Sequence, residues 1–158
     1  MSQGDPRLEG LKWTSVTSDS SGQNMAATAL GSMVWTSKDS GATWSSGDGD
    51  GAGQSWLQVA SDSSGQNLAA VTYGGDIWTS HDYGQTFIRS TTVGAWRSVA
   101  SNAAGSQLSA VEMAGDIWTA TPFDQTLVVG GPGATLTLVY VGGGVFEVRD
   151  ATGVWTYY

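Results

Sequence analysis

Few residues in this chain are suited to acid–base or nucleophilic chemistry. His81 is the only histidine, and the glutamates are Glu9, Glu112 and Glu147. A serine nucleophile with a histidine base would therefore depend on His81. The chain contains no cysteine, which excludes thiolate nucleophiles and thiolate metal sites. We expect a protein that is not an enzyme and that uses neither a cofactor nor a bound metal.

The chain is organised by an internal repeat. The segment 13–44 returns 43 residues later as 56–87, and a looser copy begins at Trp96. The shared words are Ser-Asp-Ser-Ser-Gly-Gln-Asn at 18–24 and 61–67, and Trp-Thr-Ser at 35–37 and 78–80. A period of about 40 to 50 residues is typical of stacked units such as propeller blades.

Each repeat reads as short strands separated by turns. The first strands begin at Trp13, Trp56 and Trp96, and each runs into a Ser-Asp/Asn-x-x-Gly turn. A second and a third strand follow around a glycine turn and form a hairpin. The predicted hairpin strands are 25–29 with 34–37, 68–73 with 77–80, and 108–113 with 117–120. The pattern predicts an all-β protein.

The repeats suggest a division of the chain. We assign an N-terminal segment to 1–12, three repeats to 13–55, 56–95 and 96–127, and a separate C-terminal region to 128–158. The C-terminal region reads as a β-meander with strands at 135–141, 145–150 and 154–158. We expect it to act as a cap or a fourth blade, because exposed strand edges promote aggregation.

A Ser-x-Asp-x-Gly-x-Thr-aromatic pattern follows the third strand in two repeats. Its residues are Ser37, Asp39, Gly41, Thr43 and Trp44 in the first copy, and Ser80, Asp82, Gly84, Thr86 and Phe87 in the second. We predict that the polar side chains bond the turn backbone, that glycine adopts the tight conformation and that the aromatic packs between sheets. The third copy, at 120–127, has lost the pattern.

This pattern resembles the Asp-box of bacterial neuraminidase repeats and related β-propellers. The resemblance covers residues 13–127. It implies a propeller-like array of about three four-stranded Asp-box blades plus the C-terminal β-meander, whereas a full Asp-box propeller usually has about six or more blades. Two chains joining into a ring, four blades closing alone, or a threefold β-trefoil or β-prism would each account for the difference. The three arginines and the tyrosine–glutamate pair of neuraminidases are not matched.

Tryptophan recurs at equivalent repeat positions. Trp13, Trp56 and Trp96 open the repeats, and this recurrence favours packing between blades. A second set could instead form exposed platforms on which sugar rings stack. The predicted ligand-binding residues are Trp35, Trp78 and Trp118, together with Tyr73, Asp76 and Asp116.

Charge and hydropathy limit the partners. The formal net charge is -8, and six lysines and arginines are scattered along the chain, so no positive stripe is available for a phosphate backbone. We therefore expect no nucleic-acid partner. No apolar run approaches the ~18 residues of a membrane-spanning segment, and no signal peptide is visible. The compartment stays undetermined, with an extracellular or surface location favoured.

Two functions fit these observations. The first is a non-catalytic ligand-binding module that binds carbohydrate or acts in adhesion, in the manner of a lectin, with several weak sites adding avidity. The alternative is a structural or assembly protein that forms an oligomeric β-propeller or a surface appendage. We expect a homo-oligomer, such as a dimer that completes a ring, and a glycan on a cell surface as partner.

Overall fold

The computed structural model describes residues 6–47, 52–113, 115–120, 126–130, 135–142 and 145–152. For residues 91–93, and for the residues of these ranges beyond 120, the backbone is described but not the side chains. Within these ranges the protein is all-β apart from a 3₁₀ turn at Pro6–Leu8. The predicted fold class is confirmed.

The strands fall into three consecutive groups of four, which we call blades 1, 2 and 3. Blade 1 contains β1 (Lys12–Ser18), β2 (Met25–Ser32), β3 (Val34–Ser37) and β4 (Ser45–Ser46). Blade 2 contains β5 (Gln54–Ser61), β6 (Leu68–Thr72), β7 (Asp76–Ser80) and β8 (Ile88–Val93). Blade 3 contains β9 (Trp96–Ser101), β10 (Leu108–Glu112), β11 (Ile117–Ala120) and β12 (Thr126–Gly130). Two further strands follow, β13 (Thr135–Gly142) and β14 (Val145–Thr152).

Strands within each blade pair antiparallel in chain order. The end of β2 also pairs with the start of β5, where Leu30 lies opposite Ser55, so blades 1 and 2 form one eight-stranded sheet. The sheet of blade 3 continues from β12 into β13 and β14. The described part of the C-terminal region therefore extends blade 3. Its role as a cap or fourth blade stays a prediction, and 154–158 lie outside the described residues.

The blades pack face to face through apolar side chains. Between blades 1 and 2 the buried cluster includes Val34, Trp56 and Val59. Between blades 2 and 3 the equivalent cluster includes Trp96 and Val99. Both indoles are 1% exposed, and burying a side chain of this size stabilises the fold by about 3 kcal/mol. The first strands lie side by side, since β5 contacts both β1 and β9.

Each first strand carries a β-bulge directly after its tryptophan. The extra residue is Thr14 in β1, Leu57 in β5 and Arg97 in β9. A bulge inserts one residue into the alternation of the strand and re-aims the side chains that follow. For this reason Trp56 and Val59, three positions apart, join the same buried cluster.

The predicted hairpins are confirmed by β2–β3, β6–β7 and β10–β11. The fourth strands were not located from the sequence. In blade 1 this strand is only Ser45–Ser46, which is too short to show a hydrophobic alternation.

Candidate ligand-binding face

One end of the array consists of the turns between first and second strands, which we call the turn row: residues 19–24, 62–67 and 102–107. In the first turn the Asp19 carboxylate accepts hydrogen bonds from the backbone and side chain of Ser21 at 3.0 and 2.9 Å. It also accepts from the Asn24 side chain at 2.7 Å. Burial raises the pKa of Asp19, but these hydrogen bonds outweigh it and lower that pKa to about 2. The carboxylate therefore holds the turn.

The turn row also joins one blade to the next. The Ser20 N–H donates to the Ser63 carbonyl at 3.0 Å, and the Ser63 N–H donates to the Ala103 carbonyl at 2.9 Å. Gly65 has a φ of +77°, and a Cβ placed on it would lie 2.5 Å from the Asn24 Cβ. Only glycine allows this approach, so the three turns are stacked in a fixed register.

The predicted turn geometry is present in the first Ser-Asp-Gly-Thr loop, residues 37–44. The Ser37 hydroxyl donates to Asp39 at 2.8 Å and accepts the Gly41 N–H at 2.9 Å. The Thr43 hydroxyl donates to the other Asp39 oxygen at 2.6 Å. Hydrogen bonds from Thr43 and Ser37 lower the pKa of Asp39 to about 2. The Trp44 indole N–H closes the loop by donating to the Gly41 carbonyl at 3.2 Å.

The second Ser-Asp-Gly-Thr loop, residues 80–87, repeats these contacts. Ser80 donates to Asp82 at 2.8 Å and accepts the Gly84 N–H at 2.9 Å, and the Thr86 hydroxyl donates to Asp82 at 2.7 Å. Phe87 packs against Trp56, with ring centroids 6.2 Å apart. Both loops are therefore structural, as predicted from the residue types. The third copy falls largely on 121–125, outside the described residues.

His81 is an exposed residue of the second loop, at the position that Lys38 occupies in the first loop. Its Nδ1 lies 3.2 Å from the Asn67 side-chain oxygen. Burial of part of the ring lowers the pKa of His81, although the nearby Asp82 carboxylate opposes this. The adjacent Ser80 hydroxyl is directed to Asp82, so these contacts do not form a serine–histidine pair.

The prediction of exposed tryptophan platforms is wrong for Trp35 and Trp78. Trp78 is 4% exposed, because its ring packs edge-on against Trp56 at a centroid distance of 5.7 Å. Trp35 is 9% exposed, and the Arg7 guanidinium lies over its ring at 5.8 Å. Neither ring offers a free face to a sugar.

Trp118 is partly buried and packs edge-on against Trp96 at 6.0 Å. Asp76 is also buried, and its Oδ2 accepts from the Arg89 Nε at 2.6 Å. Asp116 is exposed, in the turn of the third hairpin. The structure therefore does not bring the six predicted ligand-binding residues to one surface, and Tyr73 is the predicted aromatic that is well exposed.

A different surface lies at the other end of the array, at the ends of the second strands. We call it the hairpin row: Leu30, Ser55, Tyr73, Arg97 and Met113. Leu30, Tyr73 and Met113 occupy equivalent repeat positions and are 42%, 59% and 51% exposed. Ser55 links the first two, since it pairs with Leu30 and its carbonyl accepts the Tyr73 N–H at 2.8 Å.

Arg97 connects the second and third members of the hairpin row. Its guanidinium carbon lies 5.4 Å from the centroid of the Tyr73 ring, and its Nη2 lies 2.6 Å from the Met113 sulfur. Arg97 is the extra residue of the β9 bulge. The bulge thus aims this cation from blade 3 towards Tyr73 of blade 2.

The residue types of the hairpin row are typical of binding and not of catalysis. Tyrosine, methionine and arginine are enriched at protein–protein interfaces, where they present large contact areas and adaptable polar groups. Sequence reasoning found Tyr73 but missed Leu30, Arg97 and Met113. The available signal was the equivalent position of residues 30, 73 and 113, directly before the hairpin turns.

In the described part of the chain, no group of three histidine, cysteine, aspartate or glutamate side chains is arranged to hold a metal ion. The described residues also include no helix of the length and apolar character needed to cross a membrane.

Comparison with known proteins identifies the fold. No known family model matches the chain, and no curated protein matches it in sequence. Solved structures do match, among them the β-propeller domain of Myceliophteria thermophila Swd1, with a TM-score of 0.56 and 10% identity over 94% of this chain and 57% of that one. The protein is thus a β-propeller by fold.

Two other matched structures have different activities. A YCF48 structure bound to a D1 peptide has a TM-score of 0.60 and 11% identity over 90% of this chain and 54% of that one. A glycoside hydrolase, Niastella koreensis GH74, has a TM-score of 0.55 and 14% identity over 89% of this chain and 24% of that one. The chain spans little more than half of the two non-hydrolase chains, and these identities establish the fold alone.

Proposed function

We propose that this protein is a non-catalytic binding module that recognises a polypeptide partner through the hairpin row. The observation that carries the proposal is the contiguous exposed surface of Tyr73, Arg97 and Met113. The Arg97 cation contacts both neighbours, so the three side chains present one preorganised patch.

A polypeptide suits this surface better than a sugar does. Arg97 already occupies one face of the Tyr73 ring, which leaves a mixed apolar and cationic patch instead of an open aromatic platform. Truncating tyrosine or arginine commonly costs the most at protein interfaces. The matched YCF48 structure holds a peptide, which shows that a protein of this fold class can bind one.

A non-catalytic role is supported by where the acidic and hydroxyl groups are used. Asp39 and Asp82 are engaged by serine and threonine donors within their own loops. Asp76 is paired with Arg89. The carboxylates whose pKa values are lowered, Asp19, Asp39 and Asp82, therefore serve turns, and the hairpin row itself contains no general base.

We also propose that the two Ser-Asp-Gly-Thr loops are Asp-boxes and that the chain is related to the neuraminidase-type repeats. The support is the matching set of contacts in loops 37–44 and 80–87, including glycine at φ of +82° and +76°. On this proposal the Asp-box stabilises the loop between the third and fourth strands of a blade and makes no contact with a ligand.

The test is selection of binders from a displayed random peptide library, followed by affinity measurements on Tyr73→Ala and Arg97→Ala. Each change should weaken the selected peptides by about tenfold or more, as for a central interface residue. Ile88→Ala is the matched control, because Ile88 is also exposed, at 62%, but lies on the fourth strand of blade 2. Circular dichroism checks that each variant is folded.

Peptides that bind all four proteins equally would show that the hairpin row is not the site. Failure to select any peptide would remove the polypeptide proposal. The second candidate is carbohydrate binding, favoured by the 59% exposure of Tyr73. A glycan array run with the same proteins tests it, and binding of a sugar class lost in Tyr73→Ala would establish a lectin.

A further inference from the structure

The two outer faces of the three-blade array carry apolar residues whose repeat equivalents inside the array are buried, or, for Ile77, partly buried against the next blade. Val16 is 63% exposed, although its equivalents Val59 and Val99 are 2% and 1% exposed. On the outer face of blade 3, Ile117 is 70% exposed, whereas its blade 1 equivalent Val34 is 4% exposed.

These two faces are complementary halves of one interface. In the cluster between blades 1 and 2, Val34 of blade 1 packs with Trp56 and Val59 of blade 2. In the repeat, Ile117 corresponds to Val34, so it offers the same kind of apolar contact on the outer face of blade 3. Val16 likewise corresponds to Val59 and offers that contact on the outer face of blade 1. The exposed face of blade 3 therefore matches the exposed face of blade 1.

The turn row ends in the same complementary way. Successive turns are joined by an N–H of one turn and a carbonyl of the next. Continuing that pattern leaves the Ser20 carbonyl at one end and the Ala103 N–H at the other without a counterpart among the described residues. The glycines show the same difference between an outer and an inner turn. A Cβ on Gly22 would meet nothing within 4 Å, whereas Gly65 packs on the preceding turn.

From these observations we infer that two copies of this chain bind head to tail and close a ring of blades. Blade 3 of each copy packs against blade 1 of the other, with Ile117 of one copy in the apolar surface around Val16 of its partner. Two copies supply six blades, twice the three described here.

The two copies are related by a twofold axis, so their two contacts are equivalent, and at each one blade 3 of one copy meets blade 1 of the other. The rotation from one copy to the next must be half a turn for a ring of two to form instead of a filament. The apolar areas exposed on the two faces are then removed from water, which supplies the driving force.

The test uses complementary charges at the two faces. Wild-type protein should sediment at twice the chain mass over a concentration series. Val16→Lys alone and Ile117→Glu alone should each weaken the dimer by about tenfold or more, because a charge replaces an apolar contact. An equimolar mixture of the two variants should recover the dimer, since one interface then pairs lysine with glutamate and the other is native.

The matched control is Ile88→Lys, which changes an equally exposed residue of the middle blade and should leave the dimer unchanged. A monomer at every concentration would overturn the proposal, whether the ring is closed by further blades or stays open. A dimer insensitive to both variants would place the contact elsewhere. A mixture that stays monomeric would overturn the head-to-tail arrangement.

Cysteine cross-linking provides a second readout that does not depend on charge. The chain contains no cysteine. Mixing Val16→Cys with Ile117→Cys and adding a short bis-maleimide should give a covalent dimer, whereas either variant alone should not. Equal cross-linking of Val16→Cys with itself would show that blade 1 meets blade 1 of the partner and would contradict the proposal.

Discussion

Trp13 and Trp56 occupy the same place in two similar repeats, yet their environments differ. Trp13 is 44% exposed and Trp56 is 1% exposed. Both open the first strand of a blade, and a β-bulge follows each of them. The difference is that blade 1 packs against the face of Trp56, whereas no described blade covers the face of Trp13. Burial of the repeated tryptophan is therefore decided by the adjacent blade and not by its own strand.

The glycines of the turn row show the same contrast. Gly22 and Gly65 have φ values of +75° and +77° in turns of identical sequence. A Cβ on Gly65 would collide with Asn24, but one on Gly22 would meet open space. Both copies thus need glycine for the positive φ. Only the copy that lies against another turn also needs it for lack of space.

The largest expected effect compares Trp56→Ala with Trp13→Ala. Removing the Trp56 ring leaves a cavity beside Trp78 and Phe87, which should cost about 3 to 5 kcal/mol. Trp13→Ala should cost less, about 1 kcal/mol in the monomer, because nearly half of this side chain is already exposed. Urea unfolding at low protein concentration measures both free energies. Equal costs would show that blade packing does not determine stability at this position.

A smaller effect is expected from Gly65→Ala and Gly22→Ala. Positive φ penalises alanine by about 1 to 2 kcal/mol at both positions. At Gly65 the contact with Asn24 should add about 1 to 3 kcal/mol, because the neighbouring turn must move. The difference between the two unfolding free energies isolates the stacking of the turns. A Gly22→Ala cost as large as that of Gly65→Ala would contradict the stacking.

The smallest expected effect is on the stability of the fold at acid pH, through Asp39 in loop 37–44. The folded-state pKa of Asp39 is about 2, below the ordinary value of 3.8. Between these values the unfolded chain binds more protons, so stability should fall as the pH drops below about 4. Asp39→Asn should flatten this acid limb, and Thr43→Val should flatten it less, because the carboxylate and its Ser37 donor remain. Parallel acid limbs in wild type and Asp39→Asn would exclude this contribution. Carboxyl NMR titration checks the pKa directly.

The sequence predicted much of the framework for local reasons. The hairpins and the Ser-Asp-Gly-Thr loops depend on residues within about eight positions of one another, and such contacts follow from turn chemistry and alternation. Loops 37–44 and 80–87 accordingly form as predicted. The candidate site was less predictable, because Arg97 reaches Tyr73 only across the boundary between two blades and through a bulge.

The sequence by itself determined the repeat, the strands and the turns that hold each blade, since these need only neighbouring residues. The tertiary structure decided which copy of each repeated residue is buried by a neighbouring element. Trp78, predicted as an exposed platform, is buried because Trp56 of its own blade lies against it, and Trp35 is covered by Arg7. The physical reason is that a period of two assigns a side chain to a face of a sheet, but only the packing of another element against that face removes it from water.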